Sequence, residues 1–140
     1  YAQAPILANA YIDKDPTIQS LFECDGYAGM DLALVAALTK LYDPKQIFTF
    51  DPLAWPLFAN KELLQGLPPH HISINELDPH RDEGIAYVRK LLDAGVQASS
   101  RTLNGTHHVA EMKFRKEAPD IFFDTIGSIK SFADRVSSGL

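Results

Sequence analysis

The feature that most constrains the fold is a strand, a helix and a second strand in succession near the middle of the chain. Residues His70–Asn75 are typical of a strand, Asp82–Asp93 has apolar residues at helical spacing, and Val96–Leu103 again alternates like a strand. Gly95 follows the helix at the position where a left-handed residue often ends one. The second strand is more polar than a central strand, which favours a position toward the sheet edge. Because strands separated by helices pair in parallel, this segment predicts an α/β sheet with crossover helices.

Other segments extend this pattern in both directions. A short apolar run, Ala2–Ala8, predicts a further strand, and a mostly buried helix is predicted from about Gly29 to Leu41, ending before Pro44. Pro119 is placed to open a final helix. Within the helix over Asp82–Asp93, the apolar face is predicted to carry Ile85, Val88 and Leu92.

The composition limits the partners of the chain. Its 140 residues suit one domain, and 46% hydrophobic with 22% charged residues is an ordinary globular balance. A net charge of −5 and a pI near 5.4 disfavour nucleic acid and anionic membranes as partners. No apolar run approaches the roughly 20 residues that span a bilayer. We therefore expect a soluble protein. The single cysteine, Cys24, excludes an internal disulfide, which fits a cytoplasmic location, and we expect its thiol to be packed in the interior.

Two polar segments follow the predicted strands. An acidic stretch, Asn75–Gly84, begins where the first strand ends, and the pair His107-His108 follows the second strand. The carboxyl ends of parallel strands form the ligand-binding edge of a sheet, so Asp78 and His108 are expected on the same rim. A carboxylate there would fix the imidazole tautomer, and the imidazole would take a proton from a serine hydroxyl. The pair therefore predicts the acid and base of a serine hydrolase.

The nucleophile of such a site is not found in this sequence. No segment reads GxSxG, no serine lies in a Gly-flanked turn between a strand and a helix, and no HGG-like oxyanion loop occurs. The chain therefore looks like the acid and base portion of a hydrolase whose remaining part lies elsewhere.

Each of these polar residues also has a structural explanation. Asp78 followed by Pro79 is a standard helix start that needs no catalysis. Asp82 and Glu83 suit the positive end of the helix dipole, and they compete with Asp78 for the catalytic role. The pair His107-His108 is also compatible with a solvated loop.

No metal or cofactor site is predicted. The pairs His70-His71 and His107-His108 lack the i, i+4 spacing or the nearby cysteines that a zinc site would show. The loop Lys45–Asn60 is dense in proline and aromatic residues around Trp55, which predicts core or lid packing. The lining of a substrate pocket is the alternative.

Order, spacing and context together favour one family. The run Leu67–Gly84 resembles the DPLRDEG segment of the hormone-sensitive-lipase family of α/β-hydrolases, and Asp51–Pro56, Asn104–His108 and Asp25–Tyr27 are similar to further parts of that family. The resemblance covers nearly the whole chain. It implies that residues 1–140 are the C-terminal portion of an α/β-hydrolase domain, starting near the sixth strand of an eight-stranded sheet. Residues 12–29 would form part of a cap.

The resemblance also implies a carboxylic-ester hydrolase with a Ser-His-Asp triad. Asp78 would be the triad acid and His108 the triad base, with His107 as the fallback. The N-terminal part of the same hydrolase would supply the serine and the oxyanion loop, so this chain alone is predicted to be inactive. The sequence departs from the family where His80 replaces the usual leucine and where Val109 stands in place of a common glycine. Neither change removes the acid or the base.

Two other classes of function stay open on the same fold. One is a non-catalytic receptor that binds a small molecule, and the other is an interaction module whose first strand edge would need protection by another chain or by charge. Retention of His108 favours the enzyme, because the gibberellin receptors that resemble this family have lost the histidine. We therefore expect a small-molecule ester as the substrate.

Overall fold

The computed structural model describes residues 18–139, and its centre is a pair of parallel strands. Strand β1 is His70–Leu77, strand β2 is Ala98–His107, and helix α4, Arg81–Asp93, connects them. The predicted parallel crossover is confirmed. Both strands continue beyond the predicted C-terminal ends and include the first residues of the two polar segments, so Asp78 and His108 are the residues that follow them directly. The strand predicted over Ala2–Ala8 lies outside the described residues.

Five further helices flank this unit in the described residues. They are α1 (Ser20–Glu23), α2 (Leu32–Tyr42) and α3 (Lys61–Leu64) before β1, and α5 (Ala110–Lys113) and α6 (Pro119–Ser138) after β2. Single 3₁₀ turns lie at Tyr27–Gly29 and Pro56–Phe58. Helix α2 ends at Tyr42 because Pro44 disfavours a helical conformation at the residue before it. Pro119 stands in the first turn of α6, as predicted.

The register of the two strands changes near their C-terminal ends. Asn75 is paired with Leu103, but Leu77 is paired with His107, so β2 carries extra residues between these pairs. Gly105 lies in this irregular segment with φ +71°, a left-handed conformation that glycine adopts without strain. An insertion of this kind bends a strand and re-aims the side chains that follow it. It therefore sets the direction in which the chain leaves β2.

Helix α4 covers the sheet with a face that differs from the prediction by one position. Val88 is buried as expected, but Leu91 is fully buried whereas Leu92 is 51% exposed. Gly95 has φ +79°, which confirms its predicted conformation and lets the Val96 N–H bond the Leu91 carbonyl oxygen at 2.9 Å. This helix end brings the side chains of Leu91 and Val96 together, and both belong to the main core cluster. The placement of Leu92 on the buried face was therefore wrong.

Helix α2 is more exposed than its sequence indicated. Only Val35 and Thr39 are buried, while Leu34, Leu38 and Leu41 are exposed. These two buried residues lie one turn apart, so a single narrow face of the helix meets the rest of the described chain. The prediction of a mostly buried helix is therefore wrong within residues 18–139.

Helix α6 also packs through a narrow strip. The His71 Nε2 atom of β1 is 2.9 Å from the Ser128 hydroxyl oxygen, and the His71 ring stacks on Phe132 at 5.5 Å. Apolar residues elsewhere on this helix are more exposed, with Ile126 and Ile129 both close to half exposed. Among residues 18–139, no helix is both long and apolar enough to cross a bilayer.

Candidate active site

The two polar segments meet at the C-terminal ends of the strands. Asp78 is the first residue after β1 and His108 is the first residue after β2. The His108 Nδ1 atom lies 2.8 Å from the Asp78 Oδ2 atom, and both side chains are largely buried. Parallel pairing of the strands thus brings together the two residues that the sequence singled out.

The second carboxylate oxygen of Asp78 is also occupied. Asp78 Oδ1 accepts the backbone N–H of His80 at 2.9 Å, while the Asp78 carbonyl oxygen accepts the N–H of Arg81. Burial would raise the pKa of Asp78, but the hydrogen bonds from His108 and from the His80 backbone outweigh it, and the pKa lies below its ordinary value. The residue before α4 is His80, without a side-chain cap. Asp78 nevertheless caps the turn that leads into α4, so its structural explanation and its contact with His108 are both present.

The orientation of the dyad follows from this charge. An ionised carboxylate is only an acceptor, so the His108 Nδ1 atom carries the hydrogen that Asp78 binds. The neutral imidazole then has its lone pair on Nε2. A histidine held in this tautomer is prepared to remove a proton from a hydroxyl group at Nε2.

The fallback histidine has a different environment. His107 is the last residue of β2, and its ring lies edge-on to Phe114 with the centroids 5.2 Å apart. Consecutive strand residues point to opposite faces, so His107 and the residue after the strand are directed apart. The geometry thus favours His108 as the partner of Asp78.

The two carboxylates that competed with Asp78 have other contacts. Asp82 Oδ2 accepts the backbone N–H groups of Gln19 and Ser20, both at 2.8 Å, and its other oxygen accepts from Arg81. Burial would raise the pKa of Asp82, but these bonds outweigh it and lower the pKa. Asp82 thus ties the segment at α1 to the start of α4, within the described part of the predicted cap. Glu83 is fully buried, with its Oε2 atom 3.3 Å from His80 Nδ1.

His80 lies next to the dyad. Its ring is edge-on to that of His108, with centroids 5.7 Å apart and planes at 66°. Both rings line one pocket of about 490 Å³ beside α2. The other lining side chains are largely apolar or aromatic: Met30, Val35, Leu38, Thr39, Tyr42, Ala54, Trp55 and Pro56. Trp55 of the Lys45–Asn60 loop is buried, which agrees with the predicted core packing, and it also contributes to this pocket wall, which was the alternative interpretation.

The sequence interpretation missed a buried polar cluster formed by residues close in sequence to Asp78 and His108. Asn75 Nδ2 donates to Thr106 Oγ1 at 2.9 Å and to Glu111 Oε2 at 2.7 Å, and all three residues are buried. The available signal was the amide of Asn75, a polar residue at a position that the strand pattern places in the interior. Its partners lie 31 and 36 residues away in the chain, so spacing alone could not identify them.

Two further residues of the described chain have distinctive surroundings, namely Val109 and the single cysteine, Cys24. Val109 follows His108 and has φ +50°, an uncommon conformation for a β-branched residue. Cys24 is buried, as predicted, and burial raises the pKa of its thiol. Among residues 18–139, no group of three or more His, Cys, Asp and Glu side chains is arranged to hold a metal ion.

Comparison with known proteins defines the family. A family model described as the alpha/beta hydrolase fold matches residues 4–112 of the 140. The chain belongs to the α/β-hydrolase family. The α/β-hydrolase fold predicted from the sequence is confirmed.

The relatives of this α/β-hydrolase are esterases. The arylesterase of Saccharolobus solfataricus is 30% identical over 107 residues, which are 76% of this chain and 34% of the relative. Brefeldin A esterase, a bacterial homologue of human hormone-sensitive lipase, has a structure that is similar with a TM-score of 0.86. It is 40% identical, and the match covers 93% of this chain and 36% of brefeldin A esterase. The structure of esterase Est22 gives a TM-score of 0.74 at 40% identity, over 86% of this chain and 34% of that one.

These values confirm the resemblance to the hormone-sensitive-lipase family. This α/β-hydrolase chain spans about a third of the length of each of these three relatives. The strand pair, the crossover helix and the dyad are therefore seen here as one portion of the larger fold.

Proposed function

We propose that this chain is the C-terminal portion of a carboxylic-ester hydrolase and supplies the acid and base of its Ser-His-Asp triad. The observation that carries the proposal is the 2.8 Å contact between His108 Nδ1 and Asp78 Oδ2 at the ends of adjacent parallel strands. The esterase relatives support the reaction class. A serine from the N-terminal part of the same hydrolase completes the triad.

In the proposed mechanism, His108 works from Nε2 while Asp78 holds Nδ1. The imidazole removes the proton of the serine hydroxyl as the serine oxygen attacks the ester carbonyl carbon. Asp78 stabilises the imidazolium that forms, and the imidazolium then protonates the departing alkoxide. His108, again neutral, then removes a proton from a water molecule, which attacks the acyl-enzyme and releases the carboxylic acid. Oxyanion stabilisation comes from the part that also carries the serine.

The pocket supports an apolar ester as the substrate. Both the proposed base, His108, and the aromatic ring of Trp55 contribute to its wall. None of the described residues that line it is Lys or Arg, so an anionic group on the substrate would gain no ion pair with them. We therefore assign a neutral carboxylic ester with a hydrocarbon acyl or alcohol group. A cytoplasmic location stays a prediction from the sequence.

The test is hydrolysis of a p-nitrophenyl ester by this chain joined to, or combined with, the part of the hydrolase that carries the serine. Asp78→Asn and His108→Ala are expected to lower kcat by about 10³-fold or more, because each removes one member of a unit that acts together. His107→Ala is the matched control and is expected to keep kcat within a few fold. Full activity of His108→Ala in a folded enzyme, or loss of activity only in His107→Ala, contradicts the assignment.

A further inference from the structure

The buried polar cluster connects both sides of His108 to the strand that carries Asp78. Thr106 lies two residues before His108 and Glu111 lies three residues after it, and both accept hydrogen bonds from the single side chain of Asn75. Asn75 itself lies three residues before Asp78 on β1. The base is therefore held from both sides by a group on the same strand as its acid.

The hydrogen bonds of this cluster have a defined direction. Thr106 Oγ1 donates its only proton to the Leu103 carbonyl oxygen at 2.5 Å, so it must accept from Asn75. The Glu111 carboxylate accepts as well. Asn75 therefore has to present both amide hydrogens, one to each partner. Neither aspartate, which has only acceptors when ionised, nor an alkyl side chain can do this.

A second contact secures the irregular segment of β2. The Gly105 N–H donates to Glu76 Oε2 at 2.6 Å, and Glu76 is the residue next to Asn75 on β1. Two successive β1 side chains thus bind two successive residues of the β2 insertion. The insertion lies where the register changes, and without these contacts the number of extra residues there would not fix one exit direction.

The strained residue after His108 points to the same constraint. Val109 keeps φ +50°, a conformation that is strained for a non-glycine residue and persists only when surrounding contacts hold it. The helix that starts at Ala110 carries Glu111, whose bond to Asn75 draws this helix toward β1. Only Val109 separates His108 from the start of this helix, and its left-handed conformation turns the chain toward β1 within one residue.

We propose that Asn75 and Glu111 are positioning residues that hold His108 in hydrogen-bonding contact with Asp78. Neither of them takes part in the chemistry. They fix the two ends of the segment 106–111 so that the His108 ring has one orientation. The catalytic meaning of this role rests on the proposed esterase function, but the orientation itself is a property of this chain.

The test is NMR of the histidine side chains in the 140-residue chain, labelled with ¹⁵N, together with urea unfolding of each variant. In the unchanged chain, His108 is expected as the Nδ1–H tautomer with slow exchange of that hydrogen. Asn75→Asp removes both donors and places a carboxylate against Glu111. Its His108 signal is expected to shift toward a tautomer mixture, with Nδ1–H exchange about tenfold faster or more.

Two further variants separate positioning from simple loss of stability. Glu111→Gln keeps an acceptor for Asn75 and is expected to retain the tautomer of the unchanged chain. The double variant Asn75→Asp with Glu111→Gln reverses the donor and acceptor, because the glutamine amide donates to the new carboxylate. It is expected to recover the Nδ1–H signal at least in part. Asn104→Asp introduces the same charge at an exposed position of the same segment and serves as the control.

The outcomes distinguish the two proposals. If Asn75→Asp lowers stability while its folded population keeps the tautomer and exchange rate of the unchanged chain, the cluster is only structural and the inference is overturned. If Asn75→Asp does not fold, the double variant decides the question. A double variant that also does not fold, or that folds without the Nδ1–H tautomer of His108, overturns the inference. A tautomer that depends on Asn75 in a chain whose completed hydrolase does not cleave esters would contradict the proposed function alone.

Discussion

Asp78 shows how a buried side chain at one position keeps its charge. It gives up contact with water, which favours the neutral form, and in return accepts hydrogen bonds from His108 and the His80 backbone. The second effect is larger, so the pKa of Asp78 is lowered. A group whose pKa is lower in the folded state contributes stability above its unfolded pKa and loses that contribution as the pH falls through the folded value. Asp78 is therefore ionised at neutral pH.

Two glycines allow a direct test of backbone conformation at the residue scale. Gly105→Ala is expected to destabilise the chain by about 1 kcal/mol, because φ +71° suits glycine and strains alanine. Gly127→Ala lies inside helix α6, where alanine is expected to stabilise by about 0.5–1 kcal/mol. An added Cβ meets nothing within 4 Å at either site. Urea unfolding midpoints check both signs.

The opposite signs make each glycine the control for the other. Steric crowding cannot explain a difference between them, since both sites are open. If Gly105→Ala leaves the midpoint unchanged or raises it, the left-handed conformation in β2 is not a constraint on this fold.

At the scale of elements, His71 links helix α6 to both strands. Its Nδ1 atom is 2.9 Å from Ser99 Oγ on β2, and its Nε2 atom is 2.9 Å from Ser128 Oγ on α6. Burial lowers the pKa of His71, and the nearby positive charges of Arg101 and Arg135 lower it further. The folded chain therefore favours the neutral ring.

Because the folded chain favours neutral His71, we predict that the packing of α6 against the strands is less stable at acidic pH. The unfolded state binds the His71 proton at a higher pH than the folded state, so stability is fully present above about pH 6.5 and declines as the pH falls below it. We expect amide hydrogen exchange in α6 to be less protected at pH 5 than at pH 7.5, after correction for intrinsic rates. His71→Gln is expected to lose this pH dependence. Equal protection of α6 at both pH values in the unchanged chain would contradict the prediction.

Helices α4 and α2 illustrate what could and could not be predicted from the sequence. The spacing around Val88 and the glycine at position 95 were sufficient to identify α4 and its end. The choice between Leu91 and Leu92 depended on the contact of Leu91 with Val96 across that end, which a helical pattern does not contain. For α2, helical spacing of leucines described the helix correctly but gave no information on what would cover it.

The sequence predicted some residues of the candidate site but not others. Asp78 and His108 could be found because each follows a predicted strand and parallel strands end at one edge. Asn75 and Glu111 could not, because their contact depends on the irregular register of β2 and on the conformation of Val109. Such features arise only when the strands are paired in space.

At the scale of the whole molecule, the described residues expose many large apolar side chains that do not pack into its core. Leucines of α2 and isoleucines of α6 are exposed on separate helices, as are Phe50 and Leu53 in the loop between α2 and α3. Exposed apolar residues in this number are typical of surfaces that another part of a protein covers. They agree with the proposal that an N-terminal part of the same hydrolase packs against this chain.

This division of the hydrolase predicts that the chain alone does not cleave esters. Without a serine nucleophile and oxyanion donors, the dyad has no group to activate, and those parts account for most of the rate. Release of p-nitrophenol from a p-nitrophenyl ester should therefore equal that caused by the same concentration of the His108→Ala variant. Turnover above the variant, with a saturable dependence on ester concentration, would contradict this prediction.

Trp55 is the sole tryptophan of the sequence, and it lies edge-on to Tyr42 in the wall of the pocket that His108 also lines. Ultraviolet emission from this chain is thus dominated by one indole in the wall of the pocket that the proposed base also lines. We expect a molecule that fills the pocket to change the surroundings of that ring, whether or not a bond is cleaved. The chain consequently contains its own optical reporter, with which occupancy can be titrated separately from turnover.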